Sequence, residues 1–503
     1  MENRRKFRLA DVILSVICVV FVAEAAAPVA SIGNSQYFWW LFMIAAFLLP
    51  YGLIASELGT AFPGDGGLYD WIQTAYPGTC WGARASWYYW INFPLWMASL
   101  AVVCPELLEV IFGGRIGPVW SLVIQLAFIW IVTWIAAYPV CDSILILNLS
   151  AAIKILLALT VGVLGIVYVS KNGFVNSMEA RTFLPSFDLN SLSYISVILF
   201  NFLGFEVVCT FAKDMENPAR DIPKAIIMGG LAIGAIYLFC GFGIGAAIPA
   251  DQIDPDFGMI VAVMTMVGEA SPIFIVIAIV FLITLFANMA SWSFGVNAVA
   301  EYAAKNQNMP KVFAHENPKT GMPTGAAVVN GIVASAVLLI QLIPDESISQ
   351  GLFWTLFATS VVFLLLTYIP MFPAFIKLRK VDANRPRVYR FPFQGTAMKV
   401  ILAIPMIELV LAIVATIVPL SGDEVADKVP MLIIFLVFLA MGEVVRIVSA
   451  RGRKEEFKGL TPETAAARLA EEAAGAPDQL EPADPAQIEA ILAANNGEPE
   501  KVL

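Results

Sequence analysis

The chain has 503 residues, of which 59% are hydrophobic and 14% charged, against about 25% charged in soluble domains, so a soluble globular protein is excluded. Its formal charge of -10 belongs mostly to the end of the chain, where residues 455–503 hold eleven acids against Lys458, Arg468 and Lys501, and the remainder is nearly neutral. Six cysteines without paired spacing and a single histidine, His315, leave no material for a disulfide framework, a zinc site or a Ser/His/Asp triad. No cofactor or metal is therefore expected, and with no phosphate-cradling glycine loop the chain does not read as an enzyme or a nucleic-acid binder.

At the amino terminus Arg4, Arg5, Lys6 and Arg8 precede an apolar run and Ala23-Glu24-Ala25-Ala26-Ala27, which imitates a signal peptide with its cleavage site. The apolar stretch resumes after Pro28 and runs into further spans, so an uncleaved first span over 9–32 is expected. Windows of about twenty apolar residues predict eleven more, at 38–60, 85–112, 118–138, 145–169, 190–212, 224–248, 271–304, 324–343, 352–376, 397–420 and 429–449. In lipid such runs must satisfy their own backbone groups, which makes them helices. The expected domains are a short cytoplasmic amino-terminal segment, 1–8, a transmembrane domain of about twelve helices, 9–450, and an acidic tail, 451–503. With the amino terminus inside, the inner loops collect most of the Lys and Arg, including Lys213, Arg220, Lys224, Lys305, Lys311, Lys319 and the run from Lys377 to Arg390. Both ends are thus predicted to be cytoplasmic, and a bacterial inner membrane is expected from the resemblance given below. The tail, with Pro462 opening a short helix, reads as a largely disordered extension or as a plug on the cytoplasmic mouth.

Ionisable groups in mid-span are costly and read as functional. Glu24 lies in the first span just before Pro28, whose ring predicts an interruption around Ala25 to Pro28. The freed backbone groups could meet the charged ends of a small zwitterion or amine, and a plain proline kink with Glu24 paired to another helix is the alternative. Glu206, in Phe202-Leu203-Gly204-Phe205-Glu206 of the sixth span, follows a glycine that weakens its helix. Matching weak points five helices apart fit an inverted five-plus-five repeat with the ligand between them. Glu206 could couple protons or sit buried as a hydrogen-bonded acid. Lys154 of the fifth span has no acid within helical reach; it could take the place of a bound sodium ion or snorkel to the surface. Phe200, Phe205 and Trp292 are candidates to close over a ligand.

Several ordered segments resemble the amino acid, polyamine and organocation transporter superfamily, over roughly residues 8–450. They are Ser56-Glu57-Leu58-Gly59 with Pro63, Gly66, Gly67, Tyr69 and Trp71; Gly204-Phe205-Glu206 with Asp214, Asn217, Pro218, Arg220, Ile222 and Pro223; Ala290-Ser291-Trp292; and Lys305 through Pro310. Within the superfamily the chain looks like bacterial antiporters of the glutamate/γ-aminobutyrate type. The resemblance implies an all-α, LeuT-like fold with discontinuous helices 1 and 6 and two peripheral helices. It implies a substrate bordered by Glu24, Ala25, Ala26, Ala27, Pro28, Phe200, Gly204 and Phe205, coupling through Glu206 and Lys154, and a gate at Trp292. The expected function is amino acid antiport or proton-coupled transport by alternating access, as a monomer or homodimer in the lipid bilayer. The first span departs from the family's Gly-x-Gly interruption, and Glu24 near a ligand amine favours the alternative of a cationic amine or polyamine exchanger; a sensor without flux is the third reading.

Overall fold

The computed structural model describes residues 8–62, 66–138, 144–206, 215, 217–342, 351–387 and 389–456. Asp214, Cys141, Cys209 and the tail beyond Glu456 lie outside these residues. The first span is built from α1 (Leu9–Val20), a 3₁₀ turn (Ala23–Ala25) and α2 (Ala26–Ala30), and its two halves are bent by 59°. Then follow α3 (Ser35–Ala61), a short amphipathic α4 (Gly67–Ala75), α5 (Trp81–Phe112), α6 (Pro118–Ala136), α7 (Ile144–Asn172) and α8 (Leu189–Phe200). After α8 come α9 (Pro218–Ala247), a short α10 (Gly258–Val267), α11 (Pro272–Lys305), α12 (Thr324–Leu338), α13 (Leu352–Tyr368), α14 (Met371–Val381), α15 (Gly395–Ile417) and α16 (Val425–Glu456).

Among the described residues ten helices are long and apolar enough to cross a membrane, and the bent first pair makes an eleventh span. The predicted sixth span, 190–212, is helical only to Phe200 and loses helical conformation over 201–206; its continuation, 207–212, lies outside the described residues. The inner layer is α1, α5, α9, α11 and α13: α5 packs on α13 and α11, while α1 lies in the angle of α9 and α7. The lipid-facing sides of α6, α15 and α16 expose Val, Ile, Leu and Trp, as helices solvated by hydrocarbon should. In α3 a π turn at Ile44–Leu48 precedes Pro50, which lacks an N–H and crowds the carbonyl four residues back; the widened turn absorbs that clash and sets the direction of Tyr51.

The first interruption lies earlier than Pro28 suggests. Phe21 and Val22 are extended, whereas Pro28 sits inside α2 near its start, where a missing N–H costs nothing. Long-range polar groups fix the break: the Tyr237 hydroxyl on α9 accepts from Val22 N at 2.9 Å and lies 2.9 Å from both Val22 O and Asn201 Oδ1, either of which can take its one proton. Tyr237 thus joins the unwound part of the first span to that of the sixth. Removing a hydroxyl that satisfies buried backbone groups costs about 1–3 kcal/mol, so Tyr237→Phe should lower the thermal unfolding temperature of the detergent-solubilised protein while Tyr168→Phe, on the partly exposed α7, leaves it unchanged.

Candidate functional site

Where α1 stops, Phe21 N still reaches Ile17 O, but the carbonyls of Cys18 and Phe21 have no helical donor. Lys154 supplies one: its Nζ, on α7, lies 2.5 Å from Cys18 O, 3.0 Å from Phe21 O and 2.8 Å from Asn288 Oδ1 on α11. The ammonium is therefore the cation at the negative end of α1 and does not snorkel. Asn288 passes the interaction on, since its Nδ2 donates to Glu24 Oε1 at 2.9 Å. Glu24, in the 3₁₀ turn that restarts the span, is 3% exposed, and its second oxygen, Oε2, has no hydrogen-bond partner. Lys154 and Glu24, 130 residues apart in sequence, thus form a buried cation–amide–anion chain across three spans.

Beside Glu24 stands an aromatic cluster from the other inner helices. Trp96 of α5 packs edge-on against Phe200, with ring centroids 5.2 Å apart, and against Trp292, 5.6 Å apart; Phe200 packs in turn on Phe357 of α13. The indole nitrogens of Trp96 and Trp292 and the amide nitrogen of Asn201 are buried without partners, so several donors and one oxygen of Glu24 are left unused in the middle of the bundle. At Gly204, φ is +94° and a Cβ would lie 3.0 Å from the Trp292 ring, so only glycine lets the unwound sixth span lie against that indole.

Glu206 is held apart from this centre. Tyr51 of α3 donates to Oε2 at 2.6 Å, Tyr368 of α13 donates to Oε1 at 2.5 Å, and Tyr89 of α5 reaches Oε1 at 3.4 Å. Tyr368 also accepts from Gly204 N at 3.0 Å, so one phenol braces both the break and its acid. Phe205 turns toward Tyr51, and Ala27 lies against Gly258 of α10.

Two charged clusters flank the bundle. At the face where α1 begins, Glu57, 1% exposed, takes a two-pronged contact from Arg379, an ion pair from Arg387 at 3.1 Å and the amide of Phe391 at 2.6 Å, which fastens the segment after α14 to the end of α3. At the opposite face Asp254 and Asp256 approach Glu106; burial, then these two acids, push Asp256 up to about 7. Sequence reasoning missed Asn288, Trp96, Tyr237 and the three tyrosines. Asn288 is a polar residue on a long apolar helix, a signal that was there to be read, whereas a tyrosine or tryptophan in a chain this aromatic gives none.

Residues 7–439 match the amino acid permease family. The chain belongs to that family, and so to a class of membrane transporters rather than enzymes. A probable agmatine/putrescine antiporter, AguD, of Lactococcus lactis subsp. lactis is 51% identical over 450 residues, covering 88% of this chain and 96% of its own. The aspartate/glutamate permease AcaP of Lactococcus lactis subsp. cremoris is 22% identical, over 70% and 75% of the two chains. Among solved structures, that of MhsT in complex with L-phenylalanine aligns with a TM-score of 0.51 at 16% identity, over 82% of this chain and all of its own. The fold is accordingly the LeuT-like one, with the first and sixth spans discontinuous.

Tyr368→Phe removes a hydrogen bond to a carboxylate, worth about 1.5–3 kcal/mol, and orphans Gly204 N; the variant should unfold at lower temperature in detergent and lose transport, with Tyr51→Phe affecting only the Glu206 contact and therefore losing less. Asp256 binds its proton more tightly in the folded protein than an ordinary aspartate near 4. Its contribution therefore favours folding most in acid and falls as pH rises from about 4 to about 7; Asp256→Asn should flatten the pH dependence of the unfolding temperature across that interval.

Proposed function

We propose that this chain is a membrane antiporter of cationic amines, working by alternating access around the paired breaks. The observation that carries the reading is Glu24: a buried carboxylate at the restart of the first span, with one oxygen committed to Asn288 and the other unused. A single ammonium or guanidinium satisfies such an oxygen and relieves an otherwise costly orphan. The 51% identity to a probable agmatine/putrescine antiporter supports the same substrate class. The acids Asp254, Asp256 and Glu106, which share a reduced negative charge because Asp256 is pushed up to about 7, lie at the face opposite the start of α1, and such a charge raises the local concentration of cations.

In this reading Glu24, Ala25, Ala26, Ala27, Pro28, Phe200, Gly204 and Phe205 border the ligand, and Trp96 joins them. Trp292 closes over it, its ring seated on Gly204. Lys154 holds the break in register where a sodium-coupled carrier of this fold would hold its ion, so exchange needs no sodium. Glu206, within its three tyrosines, links the sixth-span break to α3, α5 and α13, and a change in its protonation would bias the equilibrium between states. Both chain ends face the cytoplasm of a bacterial inner membrane; residues 9–450 form the transport domain and 451–503 an acidic tail. Exchange of amino acids such as glutamate for γ-aminobutyrate is the second reading, favoured by the family's wider substrate range.

Counterflow in proteoliposomes separates these. Labelled agmatine or putrescine should enter faster when unlabelled amine is loaded inside, without sodium, and Glu24→Gln should cut kcat/KM by about tenfold or more. Trans-stimulated uptake of glutamate with no amine exchange would refute the proposal, and saturable binding without flux would mark a sensor.

A further inference from the structure

The amine reading leaves open why a fold that suits zwitterions should take their decarboxylated counterparts. The surroundings of Glu24 supply a reason, one that rests on that reading. Where a span is broken around a ligand, the two new helix ends carry opposite partial charges. The last carbonyls of the first half attract a cation, and the start of the second half, with its aligned peptide dipoles, attracts an anion such as a ligand carboxylate. In this chain the protein's own side chains bring a charge to both ends. Lys154 Nζ occupies the carbonyl end at Cys18 and Phe21. The half-span that restarts, Ala23–Ala30, has a carboxylate as its second residue, Glu24, in the first turn. Asn288 joins the two charges by donating to Glu24 Oε1 and accepting from Lys154.

A second observation points beyond structural pairing. Glu24 Oε2 is buried without a hydrogen-bond partner, and the Trp96 indole, whose N–H is likewise unpartnered, bears on the Glu24 carboxylate from the ring cluster's side. A carboxylate whose only role was to neutralise Lys154 would have no reason to leave one oxygen unused in the middle of the bundle.

We propose that Glu24 stands in for the α-carboxylate of an amino acid ligand, in position and in charge, so that the carrier selects decarboxylated amines and rejects the parent amino acids. A parent amino acid would bring its carboxylate to the half-helix start that Glu24 already holds, and two like charges in a dry site repel. The amine lacks that group and instead presents a cation to Oε2. Specificity thus arises from an occupied subsite as much as from an attractive one.

The test compares each amine with its carboxylated parent, agmatine with arginine and putrescine with ornithine, by competition for labelled agmatine in proteoliposomes. The unaltered protein should prefer each amine by about 100-fold or more, as a site with a charged mismatch does. In Glu24→Gln, which keeps the size and removes the charge, and in Glu24→Ala, which also opens space, amine affinity should fall and parent affinity rise, bringing each pair within about tenfold. The unaltered protein also permits a test independent of folding in the variants: the methyl esters and primary amides of arginine and ornithine, which keep the bulk and lose the negative charge, should compete at least about tenfold better than the free acids. Esters rejected as strongly as the acids, or variants that lose amines without gaining parents, would overturn the proposal. A protein that exchanges neither amine would instead refute the reading on which it rests.

Discussion

The architecture turns on how a helix can be broken inside a bilayer. Each unpaired backbone group in hydrocarbon costs several kcal/mol, so the extended pair Phe21–Val22 persists only because other helices bring polar groups to it. Lys154 takes the carbonyl end of α1 and Tyr237 takes the amide and carbonyl of Val22. Both arrive from helices that pack directly on α1, namely α7 and α9. Spans one, five and seven are thereby fixed relative to one another, and Tyr237 extends the connection to Asn201 at the second break.

The charges follow from that constraint. An ammonium used as a backbone donor must be balanced, and Glu24 balances it through Asn288 rather than by direct contact. A direct ion pair would saturate both groups; interposing an amide leaves one carboxylate oxygen unused while the site remains close to neutral. Glu206 is arranged on the opposite principle, with phenol donors on both oxygens, so it differs in kind from Glu24: one is saturated and bracing, the other keeps an oxygen without a hydrogen-bond partner. Trp96, which bears on Glu24, packs edge-on against both Phe200 and Trp292.

Much of the fold was legible in the sequence because lipid imposes a simple rule, that about twenty apolar residues must coil into a helix. The predicted spans 85–112, 271–304 and 324–343 lie on α5, α11 and α12 within a few residues, and Glu24, Lys154 and Glu206 stood out as charges with no reason to be in hydrocarbon. The short α4 and α10 were not legible, being too brief to carry a span signal. Pro28 misdirected the first break because it is the strongest local signal, while the actual break depends on Lys154 and Tyr237, far away in sequence. The partners of Glu206 were invisible for a related reason: Tyr51, Tyr89 and Tyr368 come from three helices, and nothing local marks a tyrosine that will meet an acid 100 or more residues away.

The decisive measurement is a structure of the protein in lipid nanodiscs with agmatine bound. A guanidinium or ammonium nitrogen should lie roughly 3 Å from Glu24 Oε2, flanked by Trp96, Phe200 and Trp292, with Lys154 still seated on the carbonyls of Cys18 and Phe21. Agmatine bound elsewhere, with the second oxygen of Glu24 turned to a protein donor, or a first span that runs unbroken through Phe21 and Val22, would contradict this mechanism.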